Sequence, residues 1–171
     1  LGRITYQKGP EYFIEAASKV LKRFPNVRFV MAGSGDLMNR SIRRVAKLKI
    51  ATKFHFTGFL RGQDVQKMFA YSDVYVMPSV SEPFGISPLE AMRSGVPTII
   101  SKQSGVAEVL KHAIKVDFWD VDALADAIYA LLAYPALSEF AAKYGLNEVN
   151  TLKWENAAFK LKQIYEDVKR G

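Results

Sequence analysis

Apolar positions along this chain switch between a helical and a strand-like spacing, and the switches mark out its elements. Residues 10–24 (PEYFIEAASKVLKRF) set Phe13, Ala17, Val20, Leu21 and Phe24 at helical intervals behind a helix-starting proline. Residues 27–32 (VRFVMA) form a short apolar run closed by Gly33-Ser34-Gly35, which predicts a strand. A helix follows over 38–50, with Met38, Ile42 and Val45 on its buried side, then a strand over 53–57 (KFHFT) and a short helix over 62–71. Strands are predicted at 74–78 (VYVMP), 97–101 (PTIIS) and 114–118, with helices at 88–94 and 105–111 between them. From Val121 onward the spacing is helical, broken near Pro135 and Asn150. Trp119, Trp154 and Tyr165 read as packing anchors and His112 as a surface residue.

Short, continuously apolar strands separated by helices imply a parallel sheet covered on both faces. The fold class expected is therefore α/β: a doubly wound, Rossmann-like parallel sheet with a helical C-terminal segment, in one domain over 1–171. Such a sheet binds ligands at the carboxyl ends of its strands. A strand normally precedes the first helix of this architecture. Only Leu1-Gly2-Arg3-Ile4 stands before the first loop, so the chain reads as opening at the end of a truncated first strand.

Composition narrows the function classes. The chain has 171 residues, 49% of them hydrophobic and 24% charged, enough for a real core. No apolar run reaches the length of a membrane span. The chain has 0 cysteines, which suits a reducing cytosol. Its two histidines, His55 and His112, stand far apart, so no metal-ligand spacing arises. The net charge of +7 is uneven: residues 1–81 carry 14 Lys and Arg against 5 Asp and Glu, leaving −2 for residues 82–171. This favours anionic partners such as phosphorylated small molecules or an acidic lipid surface. The run RSIRRVAKLK at 40–49 reads as the wet face of a helix, compatible with a peripheral membrane contact. No groove-reading motif or aromatic ladder points to nucleic acid. The G-x-G-x-x-G of a dinucleotide enzyme is absent.

Candidate chemistry gathers where strands end. The segments are Gly2-Arg3 with Lys8-Gly9, Gly33-Ser34-Gly35-Asp36, the stretch 81–90 (SEPFGISPLE), and Ser104-Gly105-Val106-Ala107-Glu108. In the third, Gly85 lets backbone approach a ligand and a helix start supplies free N–H groups to an anion. Arg3 and Lys8 offer countercharge for a diphosphate, Arg as a planar fork and Lys as a point charge. Glu90 has two readings. It caps its own helix in the box Ser87-Pro88-Leu89-Glu90, or it accepts hydrogen bonds from a ribose diol.

Glu82 and Glu90, spaced E-x7-E around Pro83-Phe84-Gly85, together with GRITYQKG and VYVMPSVSEPFG, resemble the large retaining glycosyltransferase family that includes sucrose-phosphate and bacterial mannosyl- and glucosyltransferases. The similarity runs from Gly2 to about Asp126 and matches the carboxy-terminal Rossmann domain, one half of the two-domain B-type architecture. The resemblance implies a hexosyltransferase in which this chain binds a nucleoside-diphosphate sugar while an absent N-terminal domain binds the acceptor, a carbohydrate or a lipid-linked one. Arg3 and Lys8 would bind the diphosphate and stabilise the leaving nucleotide, with no metal and no cofactor besides the donor. Glu82 would hold the sugar hydroxyls, assisted by the backbone of Phe84, Gly85 and Ile86. Glu90 would hold the ribose. Phe59 and Leu60 fall at the family's base-binding loop, and Gly33 is a possible phosphate contact. The fragment alone is expected to bind donor and transfer nothing, in the cytoplasm or at the inner membrane surface. The alternative is a non-catalytic nucleotide- or partner-binding module on the same fold. Two departures stand out: the family's glycine pair in the fourth segment is Ser104-Gly105, and its glycine turn after Leu110 is Lys111-His112-Ala113.

Overall fold

Each apolar run becomes a strand in the computed structural model, which describes residues 1–152 and 154–170. The strands are β1 (Phe29–Ala32), β2 (Phe54–Gly58), β3 (Tyr75–Met77), β4 (Thr98–Ser101) and β5 (Ile114–Val116). The helices are α1 (Pro10–Arg23), α2 (Met38–Lys47), α3 (Gln63–Ala70), α4 (Ser87–Arg93), α5 (Val121–Ala133), α6 (Pro135–Thr151) and α7 (Trp154–Arg170). The helix expected over 105–111 shrinks to one 3-10 turn, Gly105–Glu108.

All pairing is parallel, as continuously apolar strands require. Phe29 lies opposite Phe54 in β1–β2, and Val76, Ile99 and Ile114 run in register across β3–β4–β5. The strands form two sheets, β1–β2 and β3–β4–β5, where one had been expected. The cause lies at the seam. Gly2 N–H donates to the Ala32 carbonyl and Ile4 N–H to that of Ser34, each at 2.9 Å, so Leu1–Ile4 pairs only beyond the carboxyl end of β1. Between β1 and β3 runs a slot of about 670 Å³.

A shared core unites the two sheets. Ile14 and Val20 of α1, Phe29, Phe54, Ile99, and Leu124 and Ile128 of α5 belong to one buried cluster. Phe69, Tyr75, Met77, Met92, Ile100 and Leu110 form a second. Ile99 and Ile100 are both 0% exposed, and their neighbouring side chains feed opposite faces of β4 into the two clusters. This is the doubly covered parallel layer the sequence predicts.

Several local expectations are corrected. On α2 the buried face is Ser41 and Val45, whereas Ile42 is 44% exposed. The spacing 38, 41, 45 keeps one helix face where 38, 42, 45 was expected. Part of that helix's basic run is not free: Arg40 pairs with Glu11 at 2.6 Å and Arg44 with Glu15, both on α1. Trp119 and Tyr165 are exposed, not anchors: among the described residues the Trp119 ring stands edge-on to Phe118 alone, and Tyr165 on α7 is exposed. The Trp154 side chain lies outside the described residues. His112 is half-buried, stacked on Tyr144 with its Nδ1 3.1 Å from Glu148. The Glu148 carboxylate also accepts the N–H groups of Lys111 at 2.7 Å and His112 at 3.0 Å, so a side chain on α6 holds the Lys111-His112-Ala113 turn.

Candidate functional site

Loops from several strand ends meet at the carboxyl edge of the sheets, and they meet backbone to backbone. A Cβ on Gly33 would lie 1.7 Å from the Gly2 carbonyl oxygen, and one on Gly105 would lie 2.0 Å from that of Pro83. Such distances admit no side chain. Gly9, at φ 63°, meets the Pro78 carbonyl in the same way at 2.1 Å. Hydrogen bonds fasten these approaches: Val80 N–H to the Gln7 carbonyl at 2.8 Å, Gly105 N–H to Glu82 at 2.9 Å and Val106 N–H to Phe84 at 2.8 Å. Glu82 and Ser104 form a parallel bridge. The departure at Ser104-Gly105 thus keeps the glycine that the packing needs, while buried Ser104 turns its hydroxyl to the Ser101 carbonyl at 2.8 Å.

This frame brings two of the expected site residues into direct contact. Lys8 Nζ, from the turn before α1, forms an ion pair with the Glu82 carboxylate across 74 residues of sequence. Their side chains are 30% and 13% exposed, sheltered but open to a ligand. Arg3 is exposed and makes no ion pair among the described residues, and a Cβ on neighbouring Gly2 would touch the Lys8 stem at 3.7 Å. The mouth therefore carries one cation committed to a carboxylate and one uncommitted.

The loop after Glu82 adds donors. The backbone N–H groups of Phe84, Gly85 and Ile86 have no acceptor among the described residues, and the Phe84 and Ile86 side chains are 44% and 67% exposed. Gly85 takes φ 98°, which a side chain would strain. The capping-box reading of Glu90 does not hold. Ile86 precedes the first turn of α4 without a side-chain cap, and Ser87 Oγ instead accepts a 2.8 Å hydrogen bond from the buried Tyr75 hydroxyl. Burial pushes the Tyr75 phenol well above its ordinary range, so it stays a neutral donor. The Glu90 carboxylate is exposed, with no hydrogen bond or ion pair among the described residues.

Phe59 and Leu60 follow β2 on the other sheet, next to Gly58, whose carbonyl accepts Gly33 N–H at 2.7 Å. Phe59 is 65% exposed with the Arg61 guanidinium 5.0 Å from its ring. Gly33 is buried against Gly2, so its lack of a side chain has a packing cause at this position. Sequence reasoning missed Tyr75, which reads only as a strand residue, and Ser79, whose buried hydroxyl just after β3 has no hydrogen-bond partner among the described residues. Among the described residues no three His, Cys, Asp or Glu side chains gather as metal ligands would. Nor is any single helix among them long and apolar enough to cross a membrane.

Comparison with known proteins places this edge in context. Residues 1–148 match the family model of glycosyl transferases group 1. The chain belongs to that family. It is 35% identical over 97% of its length to an uncharacterized glycosyltransferase of Methanocaldococcus jannaschii, and 26% identical over 97% to mannosylfructose-phosphate synthase of Agrobacterium fabrum. It spans 43% and 39% of these two relatives. Among solved structures it matches the C-terminal domain of a group 1 family protein from Francisella tularensis, with TM-score 0.82, 27% identity, and coverage of 89% of this chain and 83% of that one. It also shares the fold, at TM-score 0.82 and 20% identity, of the Anabaena protein HepE solved with UDP and glucose, covering 99% of this chain and 48% of that one. The Rossmann-like fold of group 1 C-terminal domains is thus established for this chain.

If backbone approach dictates glycine at the edge, Gly105→Ala must push the Ser104–Val106 turn off Pro83. A loss of about 2–4 kcal/mol is expected. Chemical denaturation reads it directly, and a loss under about 0.5 kcal/mol, the range of a surface change, would contradict the close-packed account.

Proposed function

We propose that this chain is the donor-binding domain of a retaining hexosyltransferase that moves a sugar from a nucleoside diphosphate to an acceptor hydroxyl without a metal. The carrying observation is the Lys8–Glu82 pair with uncommitted Arg3 beside it and free N–H groups following it. Lys8 and Glu82 satisfy one another across the site. A diphosphate takes Lys8 and Arg3, and the carboxylate so released accepts hydrogen bonds from the sugar hydroxyls. The N–H groups of Phe84, Gly85 and Ile86 donate to phosphate or sugar oxygens, and the free Glu90 carboxylate accepts the ribose diol.

In the reaction, the acceptor oxygen bonds to the anomeric carbon as the bond from that carbon to the diphosphate oxygen breaks. The electron pair leaves on the diphosphate, where Arg3 and Lys8 stabilise it, and the acceptor proton passes to the departing phosphate. Two fixed cations fill the electrostatic role that a divalent ion plays elsewhere. The acceptor belongs to a separate domain in this reading, so the chain alone binds donor and transfers no sugar.

Isothermal titration in EDTA with UDP, GDP and ADP tests the binding half; the folded chain should take up at least one of them. Lys8→Ala should weaken the diphosphate by about 10- to 100-fold while leaving the bare nucleoside nearly unchanged. Equal losses for both ligands would remove Lys8 from the diphosphate.

A further inference from the structure

A series of aromatic side chains leaves the Lys8–Glu82 pair along the carboxyl edge. Tyr6 opens it on the turn that carries Lys8, and its ring is 66% exposed. The Tyr12 ring of α1 lies against Gly9, where a Cβ would meet it at 3.1 Å. Burial raises the Tyr12 phenol above its ordinary range, helped by Tyr6 and Glu11. Phe118 stands edge-on to Tyr12 at 5.2 Å, and Trp119 edge-on to Phe118 at 4.8 Å. The series ends in the open, with Trp119 57% exposed beyond the outer strand β5.

The rings are held in place. Edge-on contacts fix their relative angles. The loop that bears Phe118 and Trp119 is pinned to the end of β4. Lys102 Nζ donates to Asp117 Oδ2 at 2.8 Å, Gln103 Nε2 donates to Asp117 Oδ1 at 2.9 Å, and Phe118 N–H donates to Gln103 Oε1 at 3.4 Å. The Lys102 and Gln103 bonds hold the Asp117 carboxyl below the usual carboxylate range, so a charged acceptor stands beside the rings. Lys102 and Gln103 each keep N–H groups with no acceptor among the described residues.

A row of fixed ring surfaces with hydrogen-bonding groups at its side suits a pyranose. The axial C–H groups of such a sugar carry slight positive charge and rest on the negative face of an aromatic ring. Its equatorial hydroxyls point outward in the ring plane, where a carboxylate, an amide and an ammonium can meet them. A protein partner fits less well. The exposed large apolar side chains of the row are Tyr6 and Trp119, with no Leu, Ile or Val to build the apolar centre of an interface. A second nucleotide fits less well too, because Lys102 is already paired with Asp117.

We propose that Tyr6, Tyr12, Phe118 and Trp119 form a carbohydrate-binding strip that takes pyranose units of an oligosaccharide acceptor beyond the unit that reacts. The strip begins beside Lys8, so a sugar chain lying on it points its end at the donor site. The role of the bound sugar rests on the donor reading above; the binding itself stands on the strip.

The test is heteronuclear NMR of the intact chain titrated with maltopentaose, cellopentaose and mannopentaose. The indole N–H of Trp119, assigned with the help of Trp154→Phe, should shift and saturate with at least one of them. Trp119→Ala, made at an exposed side chain, should weaken that sugar by about fivefold or more, read at the Phe118 amide. The circular dichroism spectrum and the affinity for UDP should stay unchanged. Three results would each overturn the proposal: no saturable shift at Trp119 with any of the three sugars, equal sugar affinity after Trp119→Ala, or a loss of UDP affinity as large as that for the sugar. The last would give the strip to the nucleotide. Sugar binding without uptake of UDP, GDP or ADP would end the donor reading and keep the strip; nucleotide uptake without sugar binding would do the reverse.

Discussion

Close approach of bare backbone at the carboxyl edge is the constraint on which the rest of this structure depends. Gly9 against Pro78, Gly33 against Gly2 and Gly105 against Pro83 bring loops from distant parts of the chain to distances that no Cβ permits. Once they touch, short backbone hydrogen bonds lock them, and the side chains they carry have few alternatives. Lys8 meets Glu82 because its turn is strapped through Gln7 to the loop after β3. The donors of Phe84–Ile86 stay open because that loop's carbonyls, not its N–H groups, are spent on the Ser104–Val106 turn. Preorganisation here is a consequence of packing, and it leaves the site's charges free to respond to a ligand.

The layers beneath serve the same end. β4 is buried on both faces and feeds Ile99 to one core and Ile100 to the other, so the helices of both sides are clamped on one strand. The phenol of Tyr75, next to it on β3, reaches Ser87 and couples strand to α4 through a single part-buried hydrogen bond. Core and site are therefore joined by side chains at strand ends, where a movement of either is felt by the other.

Much of this was legible in the sequence because it is written in local periodicity. VRFVMA, KFHFT, VYVMP and PTIIS each name a strand, and the order of glycine-bearing loops after them names the edge. What escaped was set by partners distant in sequence. Ile42 and Ser41 differ by one position, and only the packing of α2 on α1 decides which is buried. Glu90 as a cap was plausible until Tyr75 claimed Ser87. Trp119 and Tyr165 look like anchors by residue type, but the surface available to them is not encoded in their own segments. The two-sheet arrangement escaped for the same reason: pairing at the seam depends on where Leu1–Ile4 lies, which periodicity does not express.

The uneven charge, +9 before residue 82 and −2 after it, invited an anionic partner, and part of it is answered by acids of the second half. α1 lies against α5, and across that contact Lys19 pairs with Asp122 and Arg23 with Asp126. Arg40 and Arg44 turn to Glu11 and Glu15. These are mostly exposed pairs, each contributing at most about 1 kcal/mol, so they align the helices more than they hold them. What matters is what they leave over. At the carboxyl edge stand Arg3, which has no ion pair among the described residues, and Lys8, held by a carboxylate that an incoming anion can displace. Two cations placed in this way, one without an ion pair and one exchangeable, discriminate between ligands by where they place their charge, not merely by how much they carry.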